Sequence, residues 1–146
     1  MDEINWEVVL WVINSCEFVV STKYEFFPKQ PKEVEIGNRE YKLSLDYSNF
    51  KQKTLEKNLN KKATQMNYRI NEGGGKAIYF IGVKDNGDVD GIPIVKLFIS
   101  LLFFSKIVSL CNSFYKKIKI YKAKNGFIST IRVYKKCNEK YKLLEL

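Results

Sequence analysis

Residues 71–87 read Asn-Glu-Gly-Gly-Gly-Lys-Ala-Ile-Tyr-Phe-Ile-Gly-Val-Lys-Asp-Asn-Gly, and the first half of this stretch has the residue types of a phosphate grip. Backbone N–H groups of successive glycines and a following ammonium can cradle an anion, as in the P-loop G-x-x-x-x-G-K-[ST] set between a strand and a helix. Here Gly75-Lys76 is followed by Ala77, so the hydroxyl that would hold Mg²⁺ is missing, and Ile70 stands where the first glycine belongs. The context is inverted too: a helical pattern precedes the glycines and an apolar run follows. Asn60-Lys61-Lys62-Ala63 also lacks the aspartate of a guanine-specific Asn-Lys-x-Asp loop. The glycines therefore read as structure. Gly73 and Gly75 would end a helix in left-handed conformation and turn the chain into a strand. Gly82 would mark a close approach of backbone or ligand, and Asn86-Gly87 a hairpin turn. Lys76 is left to face RNA.

Nucleophile and metal chemistry is sparse. There is no histidine, which removes Ser-His and Cys-His catalysis. Cys16, Cys111 and Cys137 are odd in number and widely spaced, without Cys-x-x-Cys, so neither a disulfide framework nor a zinc site is expected. A reducing cytoplasm is the natural setting. Twenty-five Lys and Arg against 16 Asp and Glu give a net charge of +9. Such a balance suits a polyanionic partner such as RNA. Only Arg39, Arg69 and Arg132 are arginines, however, and the chain is rich in Asn and Ile. An A+T-rich genome would produce the same bias, so charge alone leaves both readings open. Residues 1–20 carry Asp2, Glu3, Glu7 and Glu17 and no cation, hence −4, and the remainder carries +13. No membrane partner is expected. Trp6–Val20 is interrupted by Glu7, Asn14, Ser15 and Glu17 and lacks a basic leader, and Ile92–Leu110 contains Lys96 and Lys106.

The elements that must carry these residues follow from periodicity. Residues 1–29 form an apolar N-terminal extension of mixed helix and strand character, ending in the Pro28–Pro31 connector. Residues 30–146 form a single domain. Val34–Leu45 alternates as a strand or short hairpin broken at Gly37-Asn38. Asp46 and Ser48 are candidate caps for a helix in which Leu55, Leu59, Ala63, Met66 and Ile70 share one face, with Lys57, Lys61 and Lys62 off it. Ala77–Val83 reads as a strand buried on both sides, with Val89–Ile92 as its return strand after the Asn86-Gly87 turn. Pro93 opens a second helix, apolar nearly all round, to about Ser113. Lys117–Ala123 and Phe127–Tyr134 are strands joined at Asn125-Gly126. The fold class is α+β: a two-layer sandwich with a mixed sheet, two Asn-Gly hairpins and two packed helices.

Two resemblances attach to these segments. Glu35-Ile-Gly-Asn-Arg-Glu-Tyr-Lys-Leu-Ser-Leu45, followed by Thr64-Gln-Met-Asn-Tyr-Arg-Ile-Asn-Glu-Gly-Gly-Gly-Lys-Ala-Ile-Tyr-Phe-Ile-Gly-Val-Lys-Asp-Asn-Gly87, resembles the region ahead of the GTPase domain in the GTP-binding protein 1 and 2 family. Those are translational GTPases related to the elongation factors that deliver aminoacyl-tRNA. The resemblance covers roughly residues 30–146 and implies an accessory N-terminal domain or fragment whose own job is binding. GTP and Mg²⁺ would belong to the full-length family, with no cofactor or metal in this chain. The strand leading into the P-loop would begin near Leu143–Leu146, and the GTPase domain of the same protein would be a partner. The chain is also similar, more distantly, to the Schlafen-type, AlbA-like nucleic-acid-binding fold. Some Schlafen members cut RNA with two glutamates five apart and an aspartate around a metal. That alternative implies Glu35, Glu40 and Asp85 as catalytic residues, although Lys84 occupies the place directly after Gly82-Val83 where the aspartate would sit.

For the binding reading, tRNA, rRNA or the ribosome is the expected partner. The expected contacts are Lys42, Lys61, Lys62, Arg69 and Lys76, gathered around the first helix and the glycine turn, with Lys116, Lys117, Lys135 and Lys136 lying elsewhere.

Overall fold

A computed structural model describes residues 5–19 and 26–137. Leu143–Leu146, where a strand toward a P-loop is expected, lie outside the described residues. The order is α1 (Trp6–Ser15), β1 (Cys16–Val19), β2 (Arg39–Lys42), α2 (Gln52–Glu72), β3 (Lys76–Ile81), α3 (Ile94–Leu110), β4 (Ser113–Phe114), β5 (Ile118–Ala123) and β6 (Gly126–Lys135). The sheet runs β1-β5-β6-β3-β2, with the short β4 also on β6. β1 lies parallel to β5 and β2 parallel to β3, while β6 is antiparallel to β3, β4 and β5. The expected α+β class with a mixed sheet is what the chain forms, with three described helices in place of the expected two.

The helices cover one face of the sheet. On α2 the stripe buries Leu59, Ala63, Met66 and Ile70, with Leu55 packed at the margin. On α3, Leu97, Leu101, Phe104 and Val108 recur at spacings of four and three and meet Tyr79, Ile118, Ile131 and Val133 from the sheet. Residues 5–19, which sequence alone assigns to an extension, contribute an edge strand to this sheet, and Val12 of α1 is buried in the same core. The opposite face carries a smaller cluster of Tyr41, Phe80, Val83, Ala123 and Ile128, against which Phe27 and Val89 pack. The connections at 26–34 and 84–91 thus roof one end of that face, tied by Gln30 N–H to Gly87 O (3.0 Å), Glu33 N–H to Asp85 O (2.8 Å) and Tyr41 Oη to Pro31 O (2.8 Å).

Several local expectations are corrected. The helix cap is not Asp46 or Ser48: α2 begins after Lys51 without a side-chain cap, and Asp46 instead accepts from Ser48 N–H (3.0 Å) in a local turn. Val89–Ile92 is not the return strand. Both edges of β3 are already occupied, by β2 and β6, and only Ile92 makes a bridge, to Phe127. The chain does reverse at Lys84–Gly87, but the bond from Gly87 N–H to Lys84 O makes Asp85-Asn86 the central pair, and Gly87, at φ 93°, follows them. Likewise β5 and β6 pair at Ala123 and Gly126, so Lys124-Asn125 forms the connection. Neither turn is centred on its Asn-Gly pair.

Candidate nucleic-acid interface

The glycine stretch is a helix terminator. Gly75 N–H donates to Ile70 O (2.9 Å) and Gly74 N–H to Asn71 O (3.2 Å), the paired bonds of a Schellman ending. The left-handed position is Gly74, at φ 66°, with Gly75 at φ 109°, whereas Gly73 keeps φ −94°. Gly73 is needed for space, since a Cβ there would run into the carbonyl of Lys76. Because the N–H groups of Gly73, Gly74 and Gly75 are all spent on carbonyls of α2, none is free to cradle a phosphate. These residues do not fit the triphosphate of GTP. Gly82 marks an approach of backbone: a Cβ would sit 2.9 Å from Phe127 O.

Arg69, expected on the surface, is 4% exposed, and Glu40 is 1% exposed. Arg69 Nε donates to Glu40 Oε2 at 2.6 Å, while its terminal nitrogens donate to the carbonyls of Val34 (2.9 Å), Glu35 (3.2 Å) and Gly37 (2.9 Å). The fork therefore pins the 34–37 loop and β2 to α2, helped by Tyr68 Oη donating to Glu35 O (3.0 Å). Lys42 closes the other carboxylate oxygen of Glu40 at 3.0 Å. A buried carboxylate matched by two cations is a structural ion network. Arg69 does not reach phosphate. Nor are Glu35, Glu40 and Asp85 gathered for metal chemistry. Glu35 and Asp85 are exposed, and among the described residues no three His, Cys, Asp or Glu are placed to hold an ion.

The remaining expected contacts divide between the two faces of the sheet. Lys42, Lys61 and Lys62 lie on the helix side. Burial, and then the neighbouring Lys42 ammonium, holds the Lys62 ammonium below the usual lysine range. Lys76, the first residue of β3, lies on the opposite side, level with Tyr134. The expected single patch does not form.

A different set of cations does come together, on the unroofed end of the open face. Register places Arg132 beside Ile78, and Ile78 beside Arg39, on neighbouring strands. Lys119 sits beside Thr130, two residues from Arg132 on β6. One hollow of about 340 Å³ is lined by Lys116, Lys117, Lys119, Thr130, Arg132, Tyr134 and Glu17. A second, of about 590 Å³, shares Arg132 and Tyr134 and adds Arg39, Lys76 and Ile78. Among the described residues, the ion pair at these cations is Lys117 to Glu17, at 3.8 Å between side chains more than half exposed. Arg39 is steadied without a carboxylate: its guanidinium lies 4.5 Å over the Phe80 ring and donates to Gln30 Oε1 (2.9 Å). Weakly compensated cations around a half-buried tyrosine on a sheet surface can neutralise phosphates and meet bases. The alternation Lys117-Ile-Lys119-Ile and Thr130-Ile-Arg132-Val-Tyr134 already puts each set on one face of its strand. Sequence reasoning paired these two strands with each other, and what it missed was that β6 also lies beside β3.

Comparison with known proteins adds a partial match. The chain is 44% identical over 66 residues to GTP-binding protein 2 of Mus musculus and, to the same extent, of Homo sapiens. That stretch is 44% of this chain and 10% of either relative. The link is to the GTP-binding proteins, through a small part of their length. No family profile matches the chain, and no solved structure does. Among the described residues, no helix is long and apolar enough to cross a membrane.

Proposed function

We propose that this chain is a non-catalytic accessory segment of a GTP-binding protein of the elongation-factor-like kind, and that it binds RNA through the open end of its sheet. The observation that carries the RNA-binding part is the gathering of Arg39, Lys76, Lys116, Lys117, Lys119 and Arg132 around two shared hollows, with Glu17 the carboxylate among their lining residues. On the helix side, by contrast, Lys42 and Arg69 are spent on Glu40. The similarity to GTP-binding protein 2 supports the parentage, and the closed Schellman ending supports placing any nucleotide site outside this segment.

Amide hydrogen exchange of the chain, alone and with unmodified tRNA, tests the reading. Slowed exchange is expected in β5, β6 and the first half of β3. Slowing confined to the exposed surface of α2 around Lys57 and Lys61 would overturn it. The same preparation should show no binding of a fluorescent GTP analogue, and saturable binding would contradict the accessory role.

A further inference from the structure

The open end of the sheet is more than a cationic surface, because an aromatic ring is built into it. Arg132 and Tyr134 are two residues apart on β6, hence on one face, and stand between the two hollows. One hollow is walled by Lys116 and Lys117 just ahead of β5 and by Lys119 within it, the other by Arg39 and Lys76. β4 consists of two residues, and its register sets Phe114 beside Tyr134. The two rings stack with centroids 5.5 Å apart and planes 28° apart, which fixes the tyrosine ring while leaving it half-buried. Phosphate neutralisation alone needs no such ring. A π-face held between two cation-lined hollows matches a nucleobase with a phosphate on either side. Bases in a duplex keep their faces inside the stack, whereas unpaired bases can be splayed onto aromatic side chains.

We infer that this face takes single-stranded nucleic acid, with a base stacked on Tyr134 and the flanking phosphates on Lys119 and Arg132 on one side and on Lys76 on the other. The inference rests on the RNA-binding reading above and refines it.

The test uses three probes: a mixed-sequence single-stranded RNA of about 12 nucleotides, the same sequence as a duplex, and inorganic polyphosphate. Each is titrated against the unmodified chain, Tyr134→Phe, Tyr134→Leu and the double variant Lys119→Gln/Arg132→Gln, with circular dichroism confirming that each variant is folded. The unmodified chain should prefer the single strand to the duplex, a comparison that needs no variant. Tyr134→Leu should weaken the single strand roughly 5- to 150-fold and leave polyphosphate within about twofold, while Tyr134→Phe behaves like the parent. Tighter binding of the duplex, or equal weakening of single strand and polyphosphate by Tyr134→Leu, would overturn the inference. If the double variant weakens every probe and Tyr134→Leu weakens none, RNA binding stands and the stacked base falls. If the double variant changes nothing, the RNA-binding reading falls with it.

Discussion

At the scale of single residues, Arg69 and Glu40 are chemically suggestive in sequence, one as a phosphate contact and the other as a metal ligand. In the fold the two are consumed by each other, with Arg69 also bound to the 34–37 loop and Glu40 to Lys42. Removing one partner of a buried pair strands the other charge. Arg69→Ala should therefore lower unfolding stability by about 3–5 kcal/mol in urea titrations. Lys61→Ala, on the exposed face of α2, should change it by less than about 0.5 kcal/mol. An Arg69→Ala protein of parental stability but reduced RNA affinity would reverse the assignment. Cys111 gives a pH signature. Burial pushes its thiol from the ordinary 9.0 up to about 11, and its Sγ donates to Ala63 O at 3.2 Å. The unfolded chain then loses this proton at lower pH than the folded one. The contribution is complete below about pH 9 and is lost as pH rises toward about 11. Cys111→Ala should flatten the fall in melting temperature across that window, and an unchanged fall would show that other groups carry it. Buried tyrosines such as Tyr115, held up to about 12 by burial, act in the same direction and set the residual slope.

At the scale of elements, what was legible followed from short-range periodicity. The spacing of Leu55, Leu59, Ala63, Met66 and Ile70 specified both α2 and its buried side, and Met66 is fully buried. Met66→Ala should cost about 2–5 kcal/mol, measured by thermal or urea unfolding. A cost under about 1 kcal/mol would mean that the face is loosely packed. The glycine turn was legible in kind, though Gly74 and not Gly73 takes the left-handed position. Pairing between neighbours in sequence was legible for β5 and β6, which do form a hairpin, but the partners of β3 were not. Val89–Ile92 was the nearest apolar partner in sequence for β3, yet β6 takes that edge from more than forty residues away, with Ile81 opposite Ser129. The candidate site depended on such long-range pairing. Arg39, Lys76, Lys119 and Arg132 come from four strands, and alternation fixes the face of each strand without saying which strands are neighbours. Lys42, Lys61 and Lys62 were drawn together in sequence because they surround α2, but the sheet separates them from Lys76.

At the scale of the whole molecule, the net charge of +9 is less informative than its distribution. On the helix side, cations pair with Glu40 or stand along the exposed surfaces of α2 and α3, where Lys96 and Lys106 lie. On the open side, one end is roofed by the 26–34 and 84–91 connections, and the other presents cations around Tyr134. The proposed function requires this second distribution to act as a localised polyanion site, distinct from general basicity. Two variants that remove the same charge separate these cases: Lys76, Lys117, Lys119 and Arg132 all to Gln, against Lys53, Lys57, Lys61 and Lys62 all to Gln. Affinity for a single-stranded RNA is measured over a series of salt concentrations. The open-face variant should bind at least about tenfold more weakly, with its log–log salt slope shallower by roughly 0.7 for each phosphate that is no longer neutralised. The α2 variant should stay within about threefold of the parent and keep its slope. Equal reductions of affinity and slope in the two variants would contradict a localised site and leave only the overall positive charge.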